Sequence, residues 1–125
     1  DARYRPSLTQ RSLMDAGWLG RKSGKGFYTH PELEETMPKS AILSKQGIFD
    51  RIMAMLINEA AETVYMNVCT EDDLDKAMTL GTNYPKGLMA WGREIGFETI
   101  NRRIKALYEN YLEDRYRPSA YFQAL

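Results

Sequence analysis

The sequence predicts an all-α fold, a multi-helix bundle with a glycine-rich arm at its N-terminal end. Three observations carry that prediction. No stretch of useful length alternates apolar and polar residues as a half-buried strand would. Apolar residues recur three and four apart through most of the second half. The 125 residues are 43% hydrophobic, 27% charged and 11% aromatic, which suits one packed domain and neither a disordered chain nor two full domains.

The first element is a short helix expected from about Ser7 to Ala16. Pro6 precedes it, Ser7 or Thr9 can cap it, Leu8, Leu13 and Met14 fall at helical spacing, and Gly17 can close it. Gly17, Gly20, Gly24 and Gly26 then punctuate a run to Tyr28 in which Trp18, Leu19, Phe27 and Tyr28 offer apolar anchors, the pattern of a tied-down loop. Residues 29–47 carry Pro31 and Pro38 among Glu and Ser and read as a linker, with a weak helical pattern at Ile42 and Leu43.

The strongest periodicity follows. Phe49, Ile52/Met53, Leu56, Ala60 and Val64 predict a helix from about Ile48 to Asn67, and Ile48, Met55 and Ile57 spread its apolar surface around the cylinder. Such a helix is central to a core or also serves a protein interface. Asn58 and Glu59 in its middle must be hydrogen-bonded if buried. Thr70 with Asp73 forms a capping-box pattern, and Glu71, Asp72 and Asp73 load the first turn of the next helix. Leu74, Ala77 and Met78 are expected inside and Gly81 at its stop. After the Thr82-Asn83-Tyr84 turn, Pro85 suits the first position of a helix running through Leu88, Met89, Trp91 and Ile95 to Gly96. Gly87 and Gly92 weaken that helix unless a neighbour packs closely. Phe97, Ile100, Ile104, Leu107, Tyr108, Tyr111 and Leu112 make a long amphipathic helix, followed after Pro118 by an apolar tail from Tyr121 to Leu125.

Composition narrows the function. Seventeen basic and seventeen acidic side chains cancel, so no bulk field favours nucleic acid or anionic lipid. The apolar run from Ile52 to Ile57 is far short of the roughly 20 residues that span a bilayer, and no basic-then-apolar leader opens the chain, so a soluble, cytoplasmic protein is expected. Cys69 and His30 are the only residues of their kinds, which leaves no disulfide framework and no zinc set. His30, beside Pro31 in the linker, is expected in solvent, and Cys69 has no histidine near it in sequence to activate it. Glu71, Asp72, Asp73 and Asp75 lack the glycine and terminal glutamate of a calcium loop. Arg102, Arg103 and Lys105 share their helix with Glu98, Glu109, Glu113 and Asp114, the pattern of a mixed solvated face.

Two features leave chemistry open. Arg21, Lys22 and Lys25 in the glycine-rich loop can contact an anion, although Gly26 follows Gly24-Lys25 where a P-loop needs Ser or Thr, and a structural turn is the alternative. Asn83 and Tyr84 can point into a cleft or fix their own turn. No Gly-x-Gly-x-x-Gly follows a strand, so a dinucleotide-binding unit is absent from the sequence.

One pentapeptide repeats: Arg3-Tyr4-Arg5-Pro6-Ser7 recurs as Arg115-Tyr116-Arg117-Pro118-Ser119. The spacing is that of a small domain. A tandem repeat would place the last residues of one copy, then most of the next, in this chain.

The run Ala16 to Tyr28, Met55-Leu56-Ile57-Asn58-Glu59-Ala60-Ala61, Asp72 to Gly81, Asn83-Tyr84-Pro85-Lys86-Gly87 and the Arg-Tyr-Arg-Pro-Ser endings together resemble the C-terminal helical domain of the NAD-dependent 3-hydroxyacyl-CoA dehydrogenases. In single-repeat members the glycine-rich Phe-Tyr segment follows the helical domain, whereas here it precedes it, as in duplicated members such as some 3-hydroxybutyryl-CoA dehydrogenases. The resemblance thus implies the end of a first repeat at residues 1–28, a linker at 29–47 and a second helical repeat at 48–125. It implies a parent enzyme that transfers hydride from C3 of a 3-hydroxyacyl-CoA to NAD while a histidine removes the hydroxyl proton, with NAD and the catalytic pair outside this chain and no catalytic residue within it. It further implies substrate contacts at Asn83, Tyr84, Arg21, Lys22 and Lys25. An interface is implied at Ile48, Ile52, Met55, Leu56, Met89 and Trp91, through which the chain would form a homodimer or a pseudo-dimer with the preceding repeat. Two departures stand out: Asp50 precedes Arg51 where the family's first repeat places a substrate-contacting Asn, and Leu88 follows Gly87 in place of proline. The alternatives are a fragment active by itself and a free-standing helical module binding a CoA thioester or a protein.

Overall fold

The computed structural model describes residues 4–29 and 44–124; His30, Pro31, Pro38, Ile42 and Leu43 of the expected linker, and Arg3 of the first pentapeptide, lie outside the described residues. The chain divides into two compact units, Asp1–Ile42 and Leu43–Leu125. It is helical throughout its named elements, with two isolated β-bridges, Gly20 with Lys25 and Lys25 with Thr29, among the described residues.

In the first unit, α1 (Leu8–Asp15) starts on a complete capping box: the Gln10 amide donates to Ser7 Oγ at 3.2 Å, and the Ser7 amide donates to Gln10 Oε1 at 2.9 Å. It stops in a Schellman turn, with Gly17 at φ +72° and Trp18 N donating to Leu13 O. Leu8, Met14, Trp18, Leu19, Phe27 and Tyr28 are all exposed, so the apolar residues expected as anchors of this loop bury little of themselves within their own unit.

The second unit is built around α2 (Lys45–Tyr65), whose buried face is Met53, Ala54, Ile57, Asn58, Ala60 and Ala61. Its start lies three residues earlier than the periodicity indicates, because the Ser44 side chain accepts the Gly47 amide and draws Lys45, Gln46 and Gly47 into the helix. It ends before Asn67, which takes the left-handed conformation (φ +55°) that closes the last turn. Against α2 pack α4 (Leu88–Ile95), α5 (Phe97–Tyr111) and a 3₁₀ turn at Ala120–Gln123. Ile57, Met89, Ile100 and Ile104 are fully buried there, each contributing roughly 1.5–3 kcal/mol relative to exposure. A Cβ on Gly92 would lie 2.5 Å from Phe97 Cε1 and 2.9 Å from Ile57 Cγ2, so the close packing expected of that glycine is present and joins the three helices.

Between α2 and α4, α3 (Glu71–Lys76) is capped by Thr70 as expected and continues into a π-helical turn at Ala77–Gly81. Leu74 is buried and Met78 half-buried, but the wider turn carries Ala77 to the surface, against expectation. Pro85 is not the first residue of α4 either. That helix begins at Leu88 after Gly87, because its cap comes from another helix: Asp75 Oδ1 accepts the Met89 amide at 2.8 Å and Oδ2 the Ala90 amide at 2.9 Å.

Candidate functional site

The first unit gathers Arg21, Lys22 and Lys25 on a turn organised by Ser23. Its Oγ accepts the Leu19 amide at 2.8 Å and sits within hydrogen-bond distance of the carbonyls of Gly20 and Lys25, while the Gly20 amide donates to Lys25 O at 2.8 Å. The Lys25 ammonium lies 3.8 Å from the centroid of the Trp18 ring, a cation–π contact, and Arg21 and Lys22 are exposed. A shallow groove of about 190 Å³ beside the turn is lined mainly by Leu13, Met14, Trp18, Leu19 and Phe27, so its walls are apolar and hold none of the three cations.

In the second unit Asn83 is exposed with φ +58°, a conformation asparagine tolerates better than most residues, and Tyr84 is half-buried against the core with its amide donating to Met78 O. The neighbouring N-terminus of α4 cannot serve an incoming anion without displacing Asp75. At that start the Asp75 carboxylate holds the two amides that follow Leu88.

A constellation of polar side chains lies elsewhere, along one side of α2, and only part of it was legible in the sequence. Asn58 is 1% exposed; its Nδ2 donates to Arg117 O at 3.0 Å and its Oδ1 accepts the Ser119 amide at 2.8 Å. Ser119 Oγ in turn donates to Glu62 Oε2 at 2.7 Å. Two turns nearer the helix start, Arg51 donates to the hydroxyl of Tyr116 and, at 3.3 Å, to that of Tyr111, with its guanidinium 4.6 and 5.0 Å from the centroids of the Tyr111 and Tyr116 rings. Partial burial pulls the Arg51 pKa down, but hydrogen bonds to Tyr116 and Tyr111 outweigh it and leave the group above its ordinary value. Arg51, Asn58 and Glu62 thus form a seat for Tyr116–Ser119. The burial of Asn58 is the condition under which the sequence required hydrogen bonds for it; its partners, and those of Arg51, are some sixty positions away and carry no local signal.

Beside Arg51 a groove of about 230 Å³ is lined by Gly47, Asp50, Arg51, Arg103, Ala106, Leu107 and Asn110. Asp50 pairs with Arg103 at 3.2 Å and accepts from Gln46 at 2.8 Å, so this carboxylate is engaged within its own unit. No group of three or more His, Cys, Asp or Glu among the described residues could hold a metal ion. None of the described helices is long and apolar enough to cross a membrane.

Of the expected interface residues, Ile48 and Ile52 are 44% and 50% exposed on the outer ridge of α2, and Met55, Leu56 and Trp91 are half-buried against the core. Met89 is a correction: it is completely buried in the unit's own core, since α4 turns that face onto α2 and α5. Phe49, 43% exposed and 6.1 Å from Trp91 between ring centroids, lies on the same outer ridge, although its spacing also fits the core stripe.

Residues 48–125 match the family model described as 3-hydroxyacyl-CoA dehydrogenase, C-terminal domain. A 3-hydroxyadipyl-CoA dehydrogenase of Escherichia coli K12 is 47% identical over 68 residues, covering 54% of this chain and 14% of that protein. A 3-hydroxybutyryl-CoA dehydrogenase of Bradyrhizobium diazoefficiens is 35% identical over 71 residues, 57% of this chain and 24% of that one. Among solved structures, a 3-hydroxybutyryl-CoA dehydrogenase from E. coli K12 aligns with a TM-score of 0.76 at 25% identity, over 99% of this chain and 44% of that chain. The chain therefore spans between 14% and 44% of the length of these relatives.

Proposed function

Because the chain belongs to the 3-hydroxyacyl-CoA dehydrogenase family through its C-terminal helical domain, we propose that it is the supporting, interface-forming part of an enzyme that oxidises 3-hydroxyacyl-CoA to 3-oxoacyl-CoA. In the parent, NAD would be held outside this chain and would supply the hydride acceptor. The described residues do not fit NAD: the glycine-rich turn around Ser23 is closed by its own hydrogen bonds, with neither a strand before it nor a helix N-terminus after it, so no step is assigned here through that group. What these helices contribute is a rigid face.

The observation that carries this reading is the two-sidedness of α2. Its inner face is the core of the unit, while Ile48, Phe49 and Ile52 form an exposed apolar ridge beside Trp91, the kind of surface that a second helical repeat or a second copy of the chain covers. Isolated from the parent, the chain should associate through that ridge. Light scattering is expected to show a concentration-dependent rise in mass for the wild type and a monomer for Ile52→Asp; a wild-type monomer at every concentration overturns the interface. The chain alone should not reduce NAD with 3-hydroxybutyryl-CoA while the parent enzyme does, and turnover by the chain alone overturns the supporting role.

The substrate contacts expected at Arg21, Lys22, Lys25, Asn83 and Tyr84 form a finer part of the same proposal. Exposure of Arg21 and Lys22 supports them as contacts for the CoA phosphates, whereas Lys25 is engaged by Trp18. Calorimetry with acetoacetyl-CoA is expected to detect binding to the parent that weakens about tenfold in an Arg21→Ala/Lys22→Ala variant, the loss of roughly 1.4 kcal/mol; an unchanged affinity removes these residues from the site.

A further inference from the structure

On α5 a buried acceptor without a donor meets a cavity that carries one carboxylate. Asn101 Oδ1 is shut off from solvent and finds no hydrogen-bond donor among the described residues, an arrangement that costs free energy unless a donor arrives. Asn101 also lines two spaces. One is a cavity of about 240 Å³ walled by Phe97, Glu98, Asn101 and Phe122. The other is a wider groove of about 520 Å³ that shares Glu98 and Asn101 with it and runs along α5 past Arg102 and Lys105 to Glu109.

The cavity has the chemistry of a cation site. Phe97 and Phe122 stand 6.1 Å apart between ring centroids, and Tyr121 meets Phe97 edge-on at 5.6 Å. Phe97 is wedged against Gly92, where a Cβ would lie 2.5 Å from its Cε1, so this wall is fixed before anything binds. Glu98 by itself is explained by its place in the first turn of α5, where the helix dipole favours a carboxylate. That does not account for Asn101. Aromatic faces, an unmet carbonyl and an exposed carboxylate together attract one kind of group, a cation that also donates hydrogen bonds. A guanidinium suits them better than an ammonium, because it is planar, stacks on rings and can reach a carbonyl and a carboxylate at once.

We infer that this cavity receives an arginine side chain from a protein partner whose main chain lies in the groove along α5. The cavity is smaller than the about 300–1,000 Å³ of pockets that enclose drug-sized molecules, so it takes a side chain, while the adjoining groove has room for a backbone. With Glu98 taken by the arginine, Arg102 and Lys105 outnumber Glu109 in the groove, so the segment carries an acidic residue beside its arginine. Rotation of the Asn101 amide about Cβ–Cγ, a broad torsion, turns Oδ1 toward the incoming group. The site shares no residue with the α2 ridge or the glycine-rich turn, so its failure leaves the dehydrogenase reading standing.

Nuclear magnetic resonance of the isotope-labelled full chain, titrated with a capped Ala-Arg-Asp-Ala peptide, tests this. The Asn101 side-chain amide and the Glu98 backbone amide should shift and saturate. Affinity should fall about tenfold when citrulline, the neutral isostere, replaces the arginine, and about as much in the Glu98→Gln chain. Agmatine, a guanidinium without a peptide backbone, should bind about tenfold more weakly than the peptide. The absence of saturable shifts overturns the inference, as do equal affinities for the arginine and citrulline peptides, and agmatine binding as tightly as the peptide overturns the partner segment. If Glu98→Gln disturbs cross-peaks throughout the chain, an Ala-Arg-Lys-Ala peptide on the wild type replaces it: weaker binding than Ala-Arg-Asp-Ala is expected, and equal binding overturns the inference.

Discussion

Tyr4–Ser7 and Tyr116–Ser119 have the same sequence and opposite surroundings. Tyr4 is 74% exposed and Tyr116 5%. The serine amide is held by Gln10, three residues on, in the first copy and by Asn58, on another helix, in the second. Local chemistry explains only what the copies share, a serine cap on the next helical turn. In the second copy Arg51, Asn58 and Glu62 supply the rest. A short polar segment can thus be a helix start in one place and part of a core in another, and its residues alone do not say which.

The comparison can be broken from either side. The largest effect is expected at Phe122, which follows the second copy into the core: Phe122→Ala should cost about 3–4 kcal/mol in urea unfolding of the helical unit, followed by ellipticity. Asn58→Ala comes next, at about 2–3 kcal/mol, since it strips partners from a part-buried carbonyl and a buried amide at once. Ser119→Ala, which loses the bond to Glu62 and the cap on Tyr121, should cost about 1.5 kcal/mol by the same measurement. The smallest change is its counterpart. Ser7→Ala should lower the stability of α1 by about 1 kcal/mol, read as faster amide exchange at Gln10 and Arg11, while the urea midpoint of the helical unit does not move. Equal effects of the two serine substitutions on that midpoint would erase the distinction between the copies.

The outline of the fold was legible because its signals are local. Periodicity located α2 and α5, Thr70 and Ser7 announced their helices, and Gly92 announced a close approach. What the sequence hid was long-range. Pro85 was a reasonable helix start by local chemistry, yet the cap of α4 is Asp75, fourteen residues from Met89. Ile52 and Met89 are both large apolar residues on helices, and nothing in residue type distinguishes the one left outside from the one at the centre of the core. The pentapeptide repeat was visible, but the seat that gives it meaning depends on pairs such as Arg51 with Tyr116, which only folding brings together.

The carboxylate that closes the start of α4 also ties two positions of the chain into one decision. Any Cβ at Gly87 would fall 2.1 Å from Asp75 Cγ, so an alanine there evicts the cap it sits under. A partner substitution of Asp75 by a smaller residue would clear the space but leave two amides unanswered. Tolerance at either site therefore hinges on its mate: in a library that randomises both, survivors should be correlated pairs, and the cost of changing the two together should fall short of the sum of changing each alone.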